Sequence, residues 1–376
     1  MQEKMTKKIK VVLVHDFLIN PGGAEKVLEE LTKIFPDAPI YTLIYDRKRM
    51  RGMFKGKEIH TSFLQRLPRW LRIRPRYLLP LLPTAPETFD MRECDVVISS
   101  SGAWTKGVVT RVKTKHIAYI HSPMRSVWDY NERYARMARG GKKPGFLLRN
   151  ILTYIRMWDF EAAQRPDVLV ANSQYTKKRI KKYYRRGAVV VYPPINVTKK
   201  EAEPKREKRQ DYFLIVSRLT EHKNIPLVME VCEKIKVPLH IVGDGPMREQ
   251  WEKTASKEVR FYGWVSEEEK DRQYRKARAL VFPSEDDFGM AVAEAIEHDT
   301  PVLALRKGGA TEIVEEGVTG EFFDTPTVEV LADALRRFIR DGKDYESSFQ
   351  KRKKQRFTPQ EFVRKIKEVI EEAQED

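Results

Sequence analysis

The stretch Leu280-Val281-Phe282-Pro283-Ser284-Glu285-Asp286-Asp287-Phe288-Gly289-Met290-Ala291-Val292-Ala293-Glu294-Ala295-Ile296 reads as a short apolar strand, an acidic turn and then a helix. The apolar run before Pro283 suits a buried strand, Gly289 lets backbone approach closely, and Met290 to Ile296 has helical composition. A helix start presents free N–H groups and a partial positive charge, which favours an anion. Asp286 and Glu294, on either side of that start, are suited to accept hydrogen bonds from hydroxyls. Phosphate beside polyol describes a nucleotide sugar. The same residues also describe an acidic turn that merely complements the helix dipole, so the decision falls to the rest of the chain.

At 376 residues the chain exceeds one ordinary core, and two domains are expected. Lys plus Arg at 71 against Asp plus Glu at 54 gives a net charge of +17, which points to an anionic partner: nucleic acid, a phosphorylated substrate or an acidic membrane surface. Cys94 and Cys232 fall in different expected domains without metal-ligand spacing, and read as free thiols in a reducing compartment. The apolar run Val11 to Val14 is too short for a signal peptide and meets His15 and Asp16 at once. No stretch is long enough to span a bilayer.

Working outward, Lys10 to His15 reads as a buried parallel strand, followed by Asn20-Pro21-Gly22-Gly23-Ala24-Glu25 as a tight turn into a helix to about Phe35. Gly22-Gly23 admits a ligand close to the backbone, but turn geometry alone also accounts for it, and the full dinucleotide fingerprint is missing. Between Arg47 and Pro83, basic and large apolar residues are interleaved around Trp70 and Leu71. That mixture suits a segment at an anionic membrane surface, or equally an insertion whose apolar residues pack on the domain. The prolines there break any long amphipathic helix.

Cys94 to Ser100 is a further strand, ending in the turn Ser101-Gly102-Ala103-Trp104. His116 to Ile120 leads into His121-Ser122-Pro123-Met124-Arg125, which sets His121 just beyond a strand's carboxyl end, where open parallel sheets bind ligands. A histidine there can also be purely structural. Asp167 to Ala171 is another strand, and Asn172-Ser173 caps a basic helix through Tyr184. Thr198 to Gln210 is almost wholly charged and reads as a solvated linker.

The second half opens with Tyr212 to Leu219, where Arg218 and Lys223 flank one strand-to-helix turn. Those two cations are suited to clamp a diphosphate, although isolated surface cations are common. Strands at Leu239 to Val242 and Val259 to Tyr262 each meet a glycine turn, Gly243-Asp244-Gly245-Pro246 and Gly263-Trp264-Val265. Gly308-Gly309 follows the strand Pro301 to Ala304, and Pro359 to Glu372 is an amphipathic helix with Phe362, Ile366 and Ile370 on one face.

In this order, Gly22-Gly23-Ala24-Glu25, Ser217-Arg218-Leu219 with Lys223, Gly243-Asp244-Gly245-Pro246, and Asp286 to Glu294 followed by Gly308-Gly309 resemble glycosyltransferase family 4. The resemblance covers nearly the whole chain. It implies an α/β GT-B fold, with two doubly wound Rossmann-like domains facing a central cleft. Residues 1–196 would form the acceptor-side domain, 197–210 the linker and 211–358 the nucleotide-sugar domain. The last helix, 359–376, would cross back to the first domain.

The resemblance further implies that Arg218 and Lys223 hold the donor diphosphate, that Glu294 binds the ribose and that Asp286 touches the sugar. Backbone at Phe288, Gly289 and Met290 would meet sugar or phosphate. Gly22, Gly23 and Gly243 would line the donor site, Val265 would lie near the base, and His121 beside the reacting sugar. The family's two glutamates, separated by seven intervening residues, stand here as Asp286 and Glu294, with Glu285 one position too early and able to substitute. An Asp falls about 1.5 Å short of a Glu's reach.

The implied reaction is retaining transfer of a hexose from a nucleotide diphosphate sugar to a glycan or glycolipid acceptor, without metal or other cofactor. His121-Ser122-Pro123-Met124-Arg125 with Trp128-Asp129, and Tyr192-Pro193-Pro194, resemble surface-polysaccharide mannosyltransferases. GDP-mannose is therefore the first donor expected, with UDP- and dTDP-sugars as alternatives. The acceptor would be a lipid-linked or lipopolysaccharide glycan, met in the cytoplasm at the inner face of the membrane. Rival readings are an inactive GT-B scaffold and a basic nucleic-acid-binding module. The second leaves the carboxylates and glycine turns unexplained and lacks a recognition motif, so no nucleic acid is expected.

Overall fold

The computed structural model describes residues 9–129, 145–196, 209–340, 345–349 and 357–375. The charged linker expected at 197–210 lies, up to residue 208, outside the described residues. The chain forms two compact units, Met1–Pro194 with Pro359–Asp376, and Ile195–Thr358.

Unit 1 carries seven strands: β1 (Val11–Leu18), β2 (Ile40–Tyr45), β3 (Ile59–Thr61), β4 (Val96–Ser101), β5 (Lys115–Ile120), β6 (Val168–Ala171) and β7 (Val189–Val190). All pair in parallel, in the order β3-β2-β1-β4-β5-β6-β7. A parallel sheet is buried on both faces, which is why β1 reads as an unbroken apolar run before its polar end. Side chains alternate between the faces. Val12, Val14 and Val97 join one core with Leu152, Ile155 and Trp158 of the helix Phe146–Ala162. Leu13, Val96 and Ile98 join the other, with Val27, Leu28 and Leu31 of the helix Gly23–Ile34. Phe362, Ile366 and Ile370 of the terminal helix Pro359–Glu375 complete that second core.

β1 runs three residues beyond the His15 end expected from its polar residues, to Leu18. The reason is that Asp16 is fully satisfied by a neighbouring loop, so the strand continues and pairs Phe17 with Ile44 and Leu18 with Tyr45. Between residues 47 and 83 the chain forms the short strand β3 and, around the prolines, only short helical turns. Leu64, Leu78 and Leu82 are buried in the core of unit 1, while Trp70 is 60% and Leu81 42% exposed. The segment is thus both a packed insertion and a carrier of exposed apolar side chains. Among the described residues no helix is long and apolar enough to cross a membrane.

Unit 2 carries β8 (Phe213–Val216), β9 (Leu239–Val242), β10 (Val259–Gly263), β11 (Ala279–Phe282), β12 (Val302–Leu305) and β13 (Gly320–Phe323), again parallel, in the order β10-β9-β8-β11-β12-β13. Strand order therefore reverses direction between β1 and β4 in unit 1, and between β8 and β11 in unit 2. In doubly wound sheets the ligand crevice opens at such a reversal, beyond the carboxyl ends of the strands.

Candidate active site

In unit 2, the loop after β8 ends in a short 3-10 turn, Glu221–Lys223, and the loop after β11 begins at Pro283. These two loops flank the reversal, and an ion pair between Lys223 and Asp286 joins them. Ser284 donates to the other carboxylate oxygen of Asp286 at 3.0 Å. Burial pulls the Asp286 pKa upward, but the Lys223 ammonium and the Ser284 hydroxyl outweigh it and hold the carboxyl below its usual range. Arg218, on the same loop as Lys223, is exposed and has no carboxylate partner among the described residues. A cation in that state is available to an incoming anion.

Glycine turns hold both loops in place. Gly243 has φ 131°, and a Cβ there would fall 1.9 Å from the Ser217 carbonyl oxygen. Its N–H donates to the Gly263 carbonyl at 2.7 Å. Gly308, at φ +67°, plays the matching part against Asp286, where a Cβ would fall 2.3 Å from the carbonyl oxygen. Gly309 N–H then donates to that carbonyl at 2.9 Å. Bare backbone is thus demanded at Gly243 by its neighbour strand, whatever else lies there.

The helix expected at Met290 runs Met290–Glu297, with Gly289 as its left-handed N-cap at φ 103°. Phe288 is buried, its ring edge-on to Phe357 at 5.4 Å, while Glu285 and Met290 are part-buried. Val265 is part-buried beside the exposed Trp264 in the loop after β10. Glu294 sits one turn and more into the helix and is engaged from the helix Glu267–Lys276. Lys270 Nζ lies 3.2 Å from Oε1 and Tyr274 Oη donates to Oε2 at 3.0 Å. Burial and the Glu294 charge push the Tyr274 phenol well above its ordinary pKa, so it stays a donor. Lys270 and Tyr274 were not legible as site residues. They stand four apart on one face of a highly charged helix, a spacing that surface ion pairs also use.

In unit 1, polar side chains converge at the carboxyl ends of β1, β4 and β5. Asp16 accepts the backbone N–H groups of Gly102 (2.8 Å), Ala103 (2.7 Å), Trp104 (3.0 Å) and Thr105 (2.7 Å), which wraps the loop after β4 around one carboxylate. His121 Nε2 lies 2.7 Å from Ser100 Oγ, and that oxygen lies 3.1 Å from His15 Nδ1. His15 Nε2 in turn faces Glu25 Oε1 at 3.5 Å. Burial, with a smaller contribution from His15, lowers His121 to a pKa of about 3 against the pull of Asp16, so its ring is neutral.

Gly22 is extended at φ −165°, and a Cβ on it would come 2.9 Å from Glu25 Oε2, so the glycine leaves room for that carboxylate. Gly23 is the first residue of the helix Gly23–Ile34. The structure therefore brings His121 together with His15, Ser100 and Glu25. The available signal for these partners was position: in the sequence His15 and Ser100 each close an apolar run that reads as a strand.

Residues 21–199 match the family model described as Glycosyltransferase Family 4, and residues 196–356 match the model described as Glycosyl transferases group 1. The sulfoquinovosyl transferase SQD2 of Arabidopsis thaliana is 32% identical over 142 residues, which is 36% of this chain but only 28% of the plant protein. The human alpha-1,3/1,6-mannosyltransferase ALG2 is 23% identical over 330 residues, covering 77% of this chain and 74% of that protein. Among solved structures, Anabaena Alr3699/HepE in complex with UDP superposes with a TM-score of 0.71 at 18% identity, over 97% of this chain and all (100%) of that one.

Proposed function

Because the chain belongs to the family 4, group 1 glycosyltransferases of GT-B fold, we propose that it moves a hexose from a nucleotide diphosphate sugar to a glycan or glycolipid hydroxyl. The observation that carries the reading is the Lys223–Asp286 pair at the β8/β11 reversal, with the exposed Arg218 on the same loop. In this reading the diphosphate draws Lys223 and Arg218 to itself, and the start of the helix Met290–Glu297 adds its N–H groups. Together these stabilise the negative charge that develops on the leaving group.

Asp286, released from part of its pairing, accepts hydroxyls of the sugar, with Glu285 as the longer-reaching substitute. Glu294 shares its carboxylate between Lys270, Tyr274 and the ribose. Backbone at Gly243 and near Val265 and Phe288 borders the donor, Gly22 and Gly23 let it approach, and His121 meets a hydroxyl of the sugar or acceptor. The transfer proceeds with retention and needs no metal, so chelation by EDTA leaves the rate unchanged. Mannose carried on GDP is the first donor proposed, supported by the likeness over most of both chains to the human mannosyltransferase. The acceptor is a lipid-linked or lipopolysaccharide glycan at the inner face of the cytoplasmic membrane.

The test is thermal unfolding with GDP, UDP, dTDP and ADP, and then with the matching sugar nucleotides. A ligand at 100 times its Kd adds about 2.7 kcal/mol to stability and raises the melting point. A selective rise with GDP that disappears in Arg218→Ala supports guanosine-linked donors and the diphosphate clamp. A rise with UDP keeps the transferase and removes mannose. No rise with any nucleotide, together with no sugar transfer sensitive to Glu294→Ala, favours the inactive scaffold.

A further inference from the structure

Four side chains of unit 1 form one line: Glu25, His15, Ser100 and His121, with successive separations of 3.5, 3.1 and 2.7 Å. His15 and Ser100 are buried, so water has little access to the middle of the line. Each member has a fixed repertoire. A carboxylate only accepts, a neutral imidazole donates at one nitrogen and accepts at the other, and a serine hydroxyl donates one hydrogen while accepting others. The direction of the whole line therefore follows from its one end that cannot donate.

We infer that Glu25 sets the tautomer of His121 from three residues away, leaving His121 Nδ1 bare as a hydrogen-bond acceptor. Glu25 Oε1 takes the Nε2–H of His15, selecting the tautomer that carries its proton there. His15 Nδ1 then carries a lone pair and accepts the Ser100 hydroxyl hydrogen. Ser100 Oγ in turn accepts the Nε2–H of His121, and a neutral His121 so arranged keeps no proton on Nδ1. Among the described residues that nitrogen has no hydrogen-bond partner, and the residue as a whole is part-buried. The backbone of His121 is held on both sides. Its N–H donates to the Ser101 carbonyl at 2.9 Å, and Asn172 Nδ2 donates to its carbonyl at 2.9 Å.

The consequence for chemistry rests on the transferase reading. A bare Nδ1 recognises a donor, which for a glycosyltransferase is a sugar or acceptor hydroxyl, and it discriminates against an ether or carbonyl oxygen at the same place. In this account His121 is the group that touches substrate. Glu25, His15 and Ser100 are positioning residues that act through it.

The test is nitrogen-15 NMR of the histidine side chains in the full chain, without substrate, at neutral pH. In the wild type, His121 Nδ1 is expected in the unprotonated range and Nε2 in the protonated range. Ser100→Ala severs the line, so the His121 signals should move toward a mixture of the two tautomers. Ser100→Thr keeps the hydroxyl and should restore the wild-type pattern, which separates loss of the relay from general damage. Glu25→Gln, whose amide can donate or accept, should likewise mix the tautomers. A proton on His121 Nδ1 in the wild type overturns the inference, as does an unchanged tautomer in folded Ser100→Ala. Failure of sugar transfer with the tautomer as stated would count against the transferase reading alone.

Discussion

Lys106 Nζ lies 2.5 Å from Asp159 Oδ1, and both side chains are almost wholly buried in unit 1. The remaining oxygen of Asp159 accepts Trp128 Nε1 at 2.7 Å and Tyr184 Oη at 2.9 Å. One carboxylate thereby ties the loop after β4, the segment after His121 and the helix Gln174–Tyr184 to the helix Phe146–Ala162. Removing one partner of such a pair leaves an uncompensated buried charge, at a cost of about 3–5 kcal/mol. Asp159→Ala and Lys106→Met should each lose about that much in urea unfolding. The double variant should lose clearly less than the sum, because neither charge is then stranded. Additive losses would mean that the two side chains act independently.

Gly243 is set by its neighbour rather than by its own turn alone. With φ 131° and the Ser217 carbonyl 1.9 Å from the place of a Cβ, Gly243→Ala should destabilise unit 2 by about 1–3 kcal/mol. Gly187, with no heavy atom within 4 Å of its Cβ place, is the control, and its alanine variant should stay within about 0.5 kcal/mol of wild type. Equal melting points for the two variants would refute the close-packing argument.

His116 is wholly buried, with Nε2 2.8 Å from Ser99 Oγ. Burial lowers its pKa to about 4, with Asp167 opposing and Arg186 and Arg165 assisting. Its folded pKa lies below the ordinary histidine value of about 6.5, so the unfolded chain binds the extra proton first. The associated stability is present above pH 6.5 and is lost as the pH falls through about 4. Comparing His116→Gln with wild type from pH 7 to 4, the variant should show a shallower fall in unfolding free energy. A parallel fall in both proteins would remove His116 as a source of acid sensitivity.

Trp70 and Leu81 are exposed on the same proline-broken segment that buries Leu64, Leu78 and Leu82. Arg66, Arg69, Arg72 and Arg74 stand among them in sequence. If the segment meets an anionic membrane, Trp70→Ser with Leu81→Ser should weaken cosedimentation with anionic vesicles by about tenfold or more. That expectation follows from the 1.5–3 kcal/mol that burying one large apolar side chain is worth, roughly. Added salt should weaken binding further through the arginines. Wild-type protein that stays in the supernatant with anionic vesicles at low salt would end the membrane proposal.

Much of the architecture was legible in the chain itself. Buried parallel strands betray themselves as apolar runs, glycine turns punctuate their carboxyl ends, and Ser173 stands where a helix cap is needed. The ordered motifs also singled out Arg218, Lys223, Asp286 and Glu294 as candidates, the first three of them in loops that follow β8 and β11. Partners were a different matter. Asp286 meets Lys223 across 63 residues of sequence, Glu294 meets Lys270 and Tyr274 from a helix that reads as plain surface, and His121 meets Ser100 from another strand.

Local composition dictates strands, turns and helix starts, because these depend on neighbours within a few residues. Which charge is paired and which proton sits where depends on atoms brought within 3–4 Å by strand order, and strand order is a property of the whole sheet. The chain by itself therefore determined the two parallel sheets and the loops that carry chemistry. Only the tertiary structure decided that Lys223 is held by Asp286, that Arg218 has no carboxylate partner among the described residues, and that His121 Nε2 meets the Ser100 hydroxyl.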